Sequence, residues 1–180
     1  SVSMTADPSR QATMAAVRYA REQDKVISYD PNLRLALWSS PEAARAAILQ
    51  AMHFADILKI SQEELEFLTG ESDLSRGAES LIRQYGLDLV LITLGPRGAY
   101  ARNGQGEAWS PTYDVRTIDT TGAGDSFTGA FLYQLLQAGK LPGELTEDDL
   151  VAFLAFANAA GSLATTRKGA IPALPSLSEI

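Results

Sequence analysis

The sequence predicts an α/β fold built on a mostly parallel, doubly wound sheet, and three observations carry that expectation. Short apolar runs alternate with longer amphipathic segments along the chain, the order that places helices between parallel strands. The run Leu89-Val90-Leu91-Ile92-Thr93-Leu94 is apolar almost throughout, as a strand covered on both faces requires. Glycine and proline fall between these segments, where helices and strands must stop.

The elements follow in order. Pro8 to Gln23 reads as a helix with Ala12, Ala15, Ala16 and Tyr19 at helical spacing. Lys25 to Tyr29 is a strand closed by Asp30-Pro31-Asn32. Pro41 to His53 is a helix with Ser40 as its cap and Pro41 in the first turn. Ala55 to Ile60 is a strand, Gln62 to Leu68 a short helix stopped by Gly70, and Ser75 to Tyr85 a helix ending at Gly86, a left-handed cap. Gly95-Pro96-Arg97-Gly98 turns the central apolar strand into Ala99 to Arg102, and Asn103-Gly104 makes the next turn. Gly122 to Ala138 and Thr146 to Thr165 are helices. The second carries Thr146 and Asp149 in capping-box spacing and puts Leu150, Phe153, Leu154, Ala157 and Gly161 on one face. Leu141-Pro142-Gly143 is a surface connection. In such folds ligands gather at the carboxyl ends of the strands.

Composition removes several function classes. The chain has 180 residues, 46% of them hydrophobic and 21% charged, a net charge of −7 and no cysteine. The acidic balance argues against nucleic acid or an anionic membrane as partner. Without cysteine there is no disulfide, thiol nucleophile or thiolate metal site. His53, the single histidine, builds no zinc site and reads as structural. No apolar run reaches the length of a membrane span and no signal peptide is visible, so the expectation is a cytoplasmic enzyme. The opening Ser1-Val2-Ser3-Met4-Thr5 reads as the middle of a longer chain.

The stretch Thr121-Gly122-Ala123-Gly124-Asp125 concentrates the chemistry. A helix start carries unpartnered N–H groups and positive potential, and small residues let an oxyanion approach them. Asp125 in the first turn adds a carboxylate whose ionised form that potential favours. Anion cradle plus base is what phosphoryl transfer needs: the amides of Gly122, Ala123, Gly124 and Asp125 hold the moving phosphoryl charge and the carboxylate takes the hydroxyl proton. The same residues are also ordinary helix-start chemistry. No Gly-Lys-Ser/Thr follows, so this is not a Walker A loop, and Phe127 stands where a dinucleotide fingerprint needs its third glycine.

Asp119-Thr120-Thr121-Gly122-Ala123-Gly124-Asp125-Ser126-Phe127 resembles the C-terminal signature of the ribokinase-like (PfkB) sugar kinases. Leu94-Gly95-Pro96-Arg97-Gly98-Ala99 resembles the family's nucleotide loop. Asn158-Ala159-Ala160 and Thr166-Arg167-Lys168-Gly169-Ala170 resemble its adenine and cation region. Ser28 to Trp38 and Ile57 to Gly70 look most like fructokinases, and similar segments occur in 2-keto-3-deoxygluconate kinases.

The resemblance implies a three-layer α/β/α fold, with residues 1–180 as one nucleotide-binding and catalytic portion whose amino-terminal lid and sugar-contacting half lies upstream. It implies ATP and Mg²⁺ as cofactors, a sugar as substrate, D-fructose first, and a homodimeric full-length protein. A non-catalytic nucleotide-binding fragment is the alternative from another class.

It also assigns residues. Thr93, Gly95, Gly98 and Asn158 would lie near the nucleotide. Glu64 takes the family's metal-ordering position, reaching Mg²⁺ through water, while Ser61 stands where the family has asparagine. Asp119 and Thr121, with the carbonyls of Ala164, Arg167 and Gly169 and a ligand near Ala173, match a K⁺ site. Arg34 and Lys59, at strand ends, are candidates for phosphate; each equally suits a turn or surface role. Asn158 has the alternative of a polar residue on an exposed helix face. Trp38, Trp109 and Tyr113 read as packing residues.

Overall fold

A computed structural model describes residues 2–180. Five strands form one sheet in the order β1-β2-β3-β4-β5: β1 (Ser28–Tyr29), β2 (Ile57–Ser61), β3 (Leu89–Thr93), β4 (Ala99–Asn103) and β5 (Glu107–Ser110). The sheet is mixed and mostly parallel; β1 runs parallel to β2 and β4 antiparallel to β5. Six α-helices are described: α1 (Ser9–Glu22), α2 (Pro41–Met52), α3 (Gln62–Thr69), α4 (Leu74–Tyr85), α5 (Ala123–Ala138) and α6 (Glu147–Ala164). The chain divides into two compact units, the first ending at Ile92 and the second running Thr93–Ile180.

In the first unit the core is aliphatic. Ile57, Leu58 and Ile60 of β2 have no exposed surface, nor do Leu89, Val90, Leu91 and Ile92 of β3. Each such side chain contributes about 1.5–3 kcal/mol of burial free energy. The helix ends follow their sequence signals. Ser40 Oγ accepts from Ala43 N–H at 3.1 Å at the start of α2, and α3 and α4 end at Gly70 (φ 78°) and Gly86 (φ 70°), both left-handed. The Arg45 guanidinium donates twice to the Leu68 carbonyl, answering one of the last carbonyls of α3. His53 caps α2 and packs edge-on against Tyr85, which is a structural role.

Two expectations in this unit are corrected. Ala12, Ala15, Ala16 and Tyr19 of α1 are all exposed, and no residue of that helix is buried. The half-buried face is instead Thr13, Met14, Val17 and Ala20, one position along, because small residues at helical spacing do not say which side is covered. The strand expected from Lys25 shrinks to Ser28–Tyr29. Ile27 does pair there, but its N–H donates to the Asp56 carboxylate at 2.6 Å rather than to a strand backbone.

The second unit packs α5 on α6 with an aromatic core. Phe131 is fully buried, edge-on to Phe153 at 5.7 Å and 6.5 Å from Phe127; such pairs add about 0.5–1.5 kcal/mol beyond burial. Thr146 and Asp149 form the expected capping box at the start of α6. Asp149 is held ionised, its pKa lowered to about 2 by bonds from Lys140 and from the Thr146 backbone and hydroxyl. Strand β5 is an element the sequence reading omits. It alternates exposed Glu107 and Trp109 with buried Ala108 and Ser110, so Trp109, 54% exposed, is not a packing residue.

Candidate functional site

The candidate residues fall into the two units, and each group has its own geometry. In the first, the Asp30-to-Arg34 segment leaves β1 and is tied down by side chains. Lys59 of β2 is 8% exposed and its ammonium meets Asp30 at 3.0 Å. The other Asp30 oxygen accepts the Asn32 N–H at 2.9 Å, and Asn32 takes a positive φ of 45°. Glu64 closes the arrangement: one carboxylate oxygen accepts the Leu33 N–H at 2.6 Å and the other the Ser61 N–H at 2.8 Å. Ser61 returns the bond by accepting the Glu64 N–H. The serine standing at the family's asparagine position is therefore the N-cap of α3, a role its hydroxyl fills without an amide. Arg34 is exposed, with one guanidinium N–H spent on the Leu33 carbonyl.

In the second unit the glycine turn is shaped by backbone. Gly122, the N-cap of α5, has φ 81° and offers no side-chain cap, and the Ala123 N–H that follows donates to the Thr120 carbonyl at 3.2 Å. A Cβ at Gly122 would come within 3.1 Å of the Ala170 backbone, so the turn lies directly on the 166–170 loop. Asp119 fixes that loop: its carboxylate accepts from the Thr121 backbone (2.9 Å), the Thr121 hydroxyl (2.7 Å) and the Gly169 N–H (3.0 Å). These bonds, the Thr121 hydroxyl first, hold its pKa at about 2. Arg167 pairs with Glu179, which is itself bonded to Ser176. Ala164 and Ala173 are buried beside this loop's two ends in sequence. Asp125 is exposed in the first turn of α5, where a carboxylate can meet a ligand hydroxyl. The Ser126 hydroxyl donates to the Ala160 carbonyl and locks α5 to α6.

A cavity of about 630 Å³ lies within the second unit. Thr93, Gly95, Gly98 and Asn158 line it, and so do Ala123 and Gly124 of the turn. No Lys or Arg lines it. Asp114 is its one charged lining residue, so it suits a flat group without negative charge, such as a base and ribose, with anionic charge directed to the Gly122–Gly124 turn. Asn158 is not on an exposed face: it is 5% exposed and donates to the Ser110 and Pro111 carbonyls at 2.9 and 3.1 Å. The 112–117 segment, absent from the sequence reading, supplies Thr112, Tyr113, Asp114, Val115 and Thr117 to the wall. Tyr113 is 51% exposed, which places it on the cavity rim rather than in the core. The signal that would have found this wall is the alternation of Glu107 to Ser110 ended by Pro111, a strand delivering a loop.

The comparisons with known proteins decide the family. Residues 2–177 match the family described as pfkB family carbohydrate kinase. The chain belongs to the pfkB carbohydrate kinases. It is 44% identical to fructokinase-1 of Zea mays, covering 100% of this chain and 55% of that protein. The structure of fructokinase from Vibrio cholerae O395, with fructose, ADP and a calcium ion bound, superposes with a TM-score of 0.87 at 37% identity, over 98% of this chain and 56% of that one. Aminoimidazole riboside kinase from Salmonella enterica, complexed with aminoimidazole riboside and an ATP analog, gives a TM-score of 0.81 at 35% identity, over 96% of this chain and 57% of that one. The ribokinase-like fold expected from the sequence is thus the one present, and the chain spans about half the length of these relatives. Among the described residues no helix is long and apolar enough to cross a membrane.

Proposed function

We propose that this chain is the nucleotide-binding and catalytic portion of an ATP-dependent sugar kinase that phosphorylates D-fructose at its 6-hydroxyl. The observation that carries the reading is the Gly122 turn: a left-handed glycine opens α5 with no capping side chain, beside a cavity lined by no Lys or Arg, and a carboxylate follows in the same turn. Asp125 accepts the hydroxyl proton as the sugar oxygen bonds to the γ-phosphorus and the bond to the departing ADP oxygen breaks. The amides of Gly122, Ala123, Gly124 and Asp125 hold the charge on the transferred group. A positioned base contributes about 10²–10⁴-fold and one such amide donor about 10²–10³-fold.

The residues fit the ions that such chemistry uses. Each Glu64 oxygen accepts one N–H and keeps a lone pair that can bond a water. Mg²⁺ needs few protein carboxylates, being held mainly by phosphates and waters. Bound there, Mg²⁺ would neutralise phosphate charge. Asp119, kept ionised, with Thr121 and the carbonyls of Ala164, Arg167, Gly169 and a group near Ala173, suits K⁺. In the first unit Arg34 is exposed, while the Lys59 ammonium is engaged by Asp30.

The similarity to aminoimidazole riboside kinase supports a second reading, in which the acceptor is another sugar or riboside. An ADP-release assay with ATP, Mg²⁺ and K⁺ separates them. This chain and a longer protein extended upstream are each offered fructose, ribose, 2-keto-3-deoxygluconate and aminoimidazole riboside. Turnover with fructose above the others supports the first reading. Preference for another acceptor replaces the substrate, and ATP binding without turnover on any acceptor supports a nucleotide-binding module instead.

A further inference from the structure

The segment that carries the cavity wall leaves β5 with a bonding problem. Beyond Ser110 the ladder ends, and Pro111 has no N–H to give. The Ser110 and Pro111 carbonyls are instead answered from α6, both by the Asn158 side-chain amide. One turn further along the same helix face, the Ser162 hydroxyl meets the Thr112 hydroxyl at 2.7 Å. Asn158 and Ser162 are 5% and 6% exposed, so water does not compete for these bonds. From the other side Gly98, at φ 99°, lies so close that a Cβ there would stand 2.0 Å from the Ser110 carbonyl oxygen. Residues 110–112 are thus clamped between α6 and the Gly98 turn, and Thr112 to Val115 continue directly into the cavity wall.

We propose that Asn158 and Ser162 are positioning residues for the nucleotide, acting through Ser110-Pro111-Thr112, and that Asn158 does not read the base with its amide hydrogens. A side-chain amide has two N–H donors, and both are spent on backbone carbonyls. This rests on the reading of the cavity as the nucleotide site. Removing the donors leaves two carbonyls unanswered, and the wall they carry shifts. Base identity is read by groups other than the Asn158 amide, so the damage falls on any nucleotide equally.

Two measurements on the full chain test this. The first is calorimetric binding of ATP and of inosine triphosphate, which lacks the 6-amino group, to Asn158→Leu, Ser162→Ala and Ser162→Thr. The expected result is about 10–100-fold weaker binding of both nucleotides by Asn158→Leu, equal within about twofold, since each orphaned buried acceptor costs about 1–3 kcal/mol. Ser162→Ala weakens both less, by about 3–10-fold, and Ser162→Thr, which keeps the hydroxyl, restores them. The second measurement is chymotrypsin cleavage without nucleotide: cutting after Tyr113, which is 51% exposed, quickens in Asn158→Leu and Ser162→Ala while α5 stays uncut. Unchanged affinity overturns the proposal. So does weaker ATP binding with unchanged cleavage at Tyr113, or a loss confined to ATP, because either makes Asn158 a direct base contact. If Asn158→Leu fails to fold, the Ser162 pair decides by the same criteria. If wild type binds neither nucleotide, the nucleotide reading of the cavity fails and this proposal with it, while the cleavage rate still reports whether the clamp exists.

Discussion

The Asp30-to-Arg34 segment of the first unit and the Thr120-to-Asp125 turn of the second are both short segments carrying a single aspartate, yet they are built in opposite ways. The first is held by side chains. Asp30 answers Lys59 and Asn32, and Glu64 answers Leu33 and Ser61. Its charges largely satisfy one another and its own backbone. The second is held by backbone conformation and by Asp119 from outside, and its N–H groups at the start of α5 receive no capping side chain. A loop that answers its own polar groups behaves as scaffold; a loop that leaves donors pointing outward at a helix start is prepared for a ligand's charge.

Perturbing each loop sharpens that contrast, and the largest effect belongs to the turn. Asp125→Asn in the longer protein should lower kcat by about 10²–10⁴-fold with the ATP dissociation constant nearly unchanged; near-normal kcat would remove Asp125 from the chemistry. Lys59→Met tests the scaffold. It leaves Asp30 without its ammonium, and the expected loss in urea unfolding is about 3 kcal/mol, the low end for a buried pair because Asp30 keeps 23% of its side chain exposed. If stability held while only phosphate affinity fell, Lys59 would be a ligand residue rather than a tie.

Gly122→Ala asks whether backbone alone shapes the turn. A positive φ and a Cβ pressed on Ala170 should cost about 1–2 kcal/mol of second-unit stability and weaken ATP binding. An unchanged thermal midpoint and unchanged affinity would show the turn is not held there.

The smallest effect is electrostatic. Asp149 titrates near 2, below its ordinary 3.8, so the stabilisation it carries is complete above about pH 4 and is lost as pH falls toward 2. Asp149→Asn should flatten the pH dependence of thermal unfolding in that window, and an identical profile would show that the carboxylate bears no such load.

The contrast also explains what the sequence could disclose. Helix ends were legible because their signals are local: Ser40, Thr146 with Asp149, Gly70 and Gly86 each act within one turn of where they sit. The glycine turn that opens α5 was legible for the same reason, since Gly122 and the small residues after it act where they sit. Helix α1 was misoriented because Ala12, Ala15, Ala16 and Tyr19 carry too little apolar contrast to say which side is covered. The Asn158 bonds were invisible because their acceptors are carbonyls 48 and 47 residues away, and any residue type supplies a carbonyl. Glu64 as a backbone tie was hidden likewise, its Leu33 partner lying 31 residues back.

The closeness of Gly98 to the Ser110 carbonyl has a consequence for how this chain can drift. Every single-nucleotide change of a glycine codon that alters the residue adds at least a Cβ, and here that atom would stand 2.0 Å from a backbone oxygen. No rotamer relieves a collision made by the first side-chain carbon. Position 98 therefore has no tolerated neighbour in codon space unless Ser110 and Pro111 move as well, and moving them disturbs the wall they carry. Drift at this position would have to begin with a change in the strand exit, so the order in which mutations arrive would decide which of them survive.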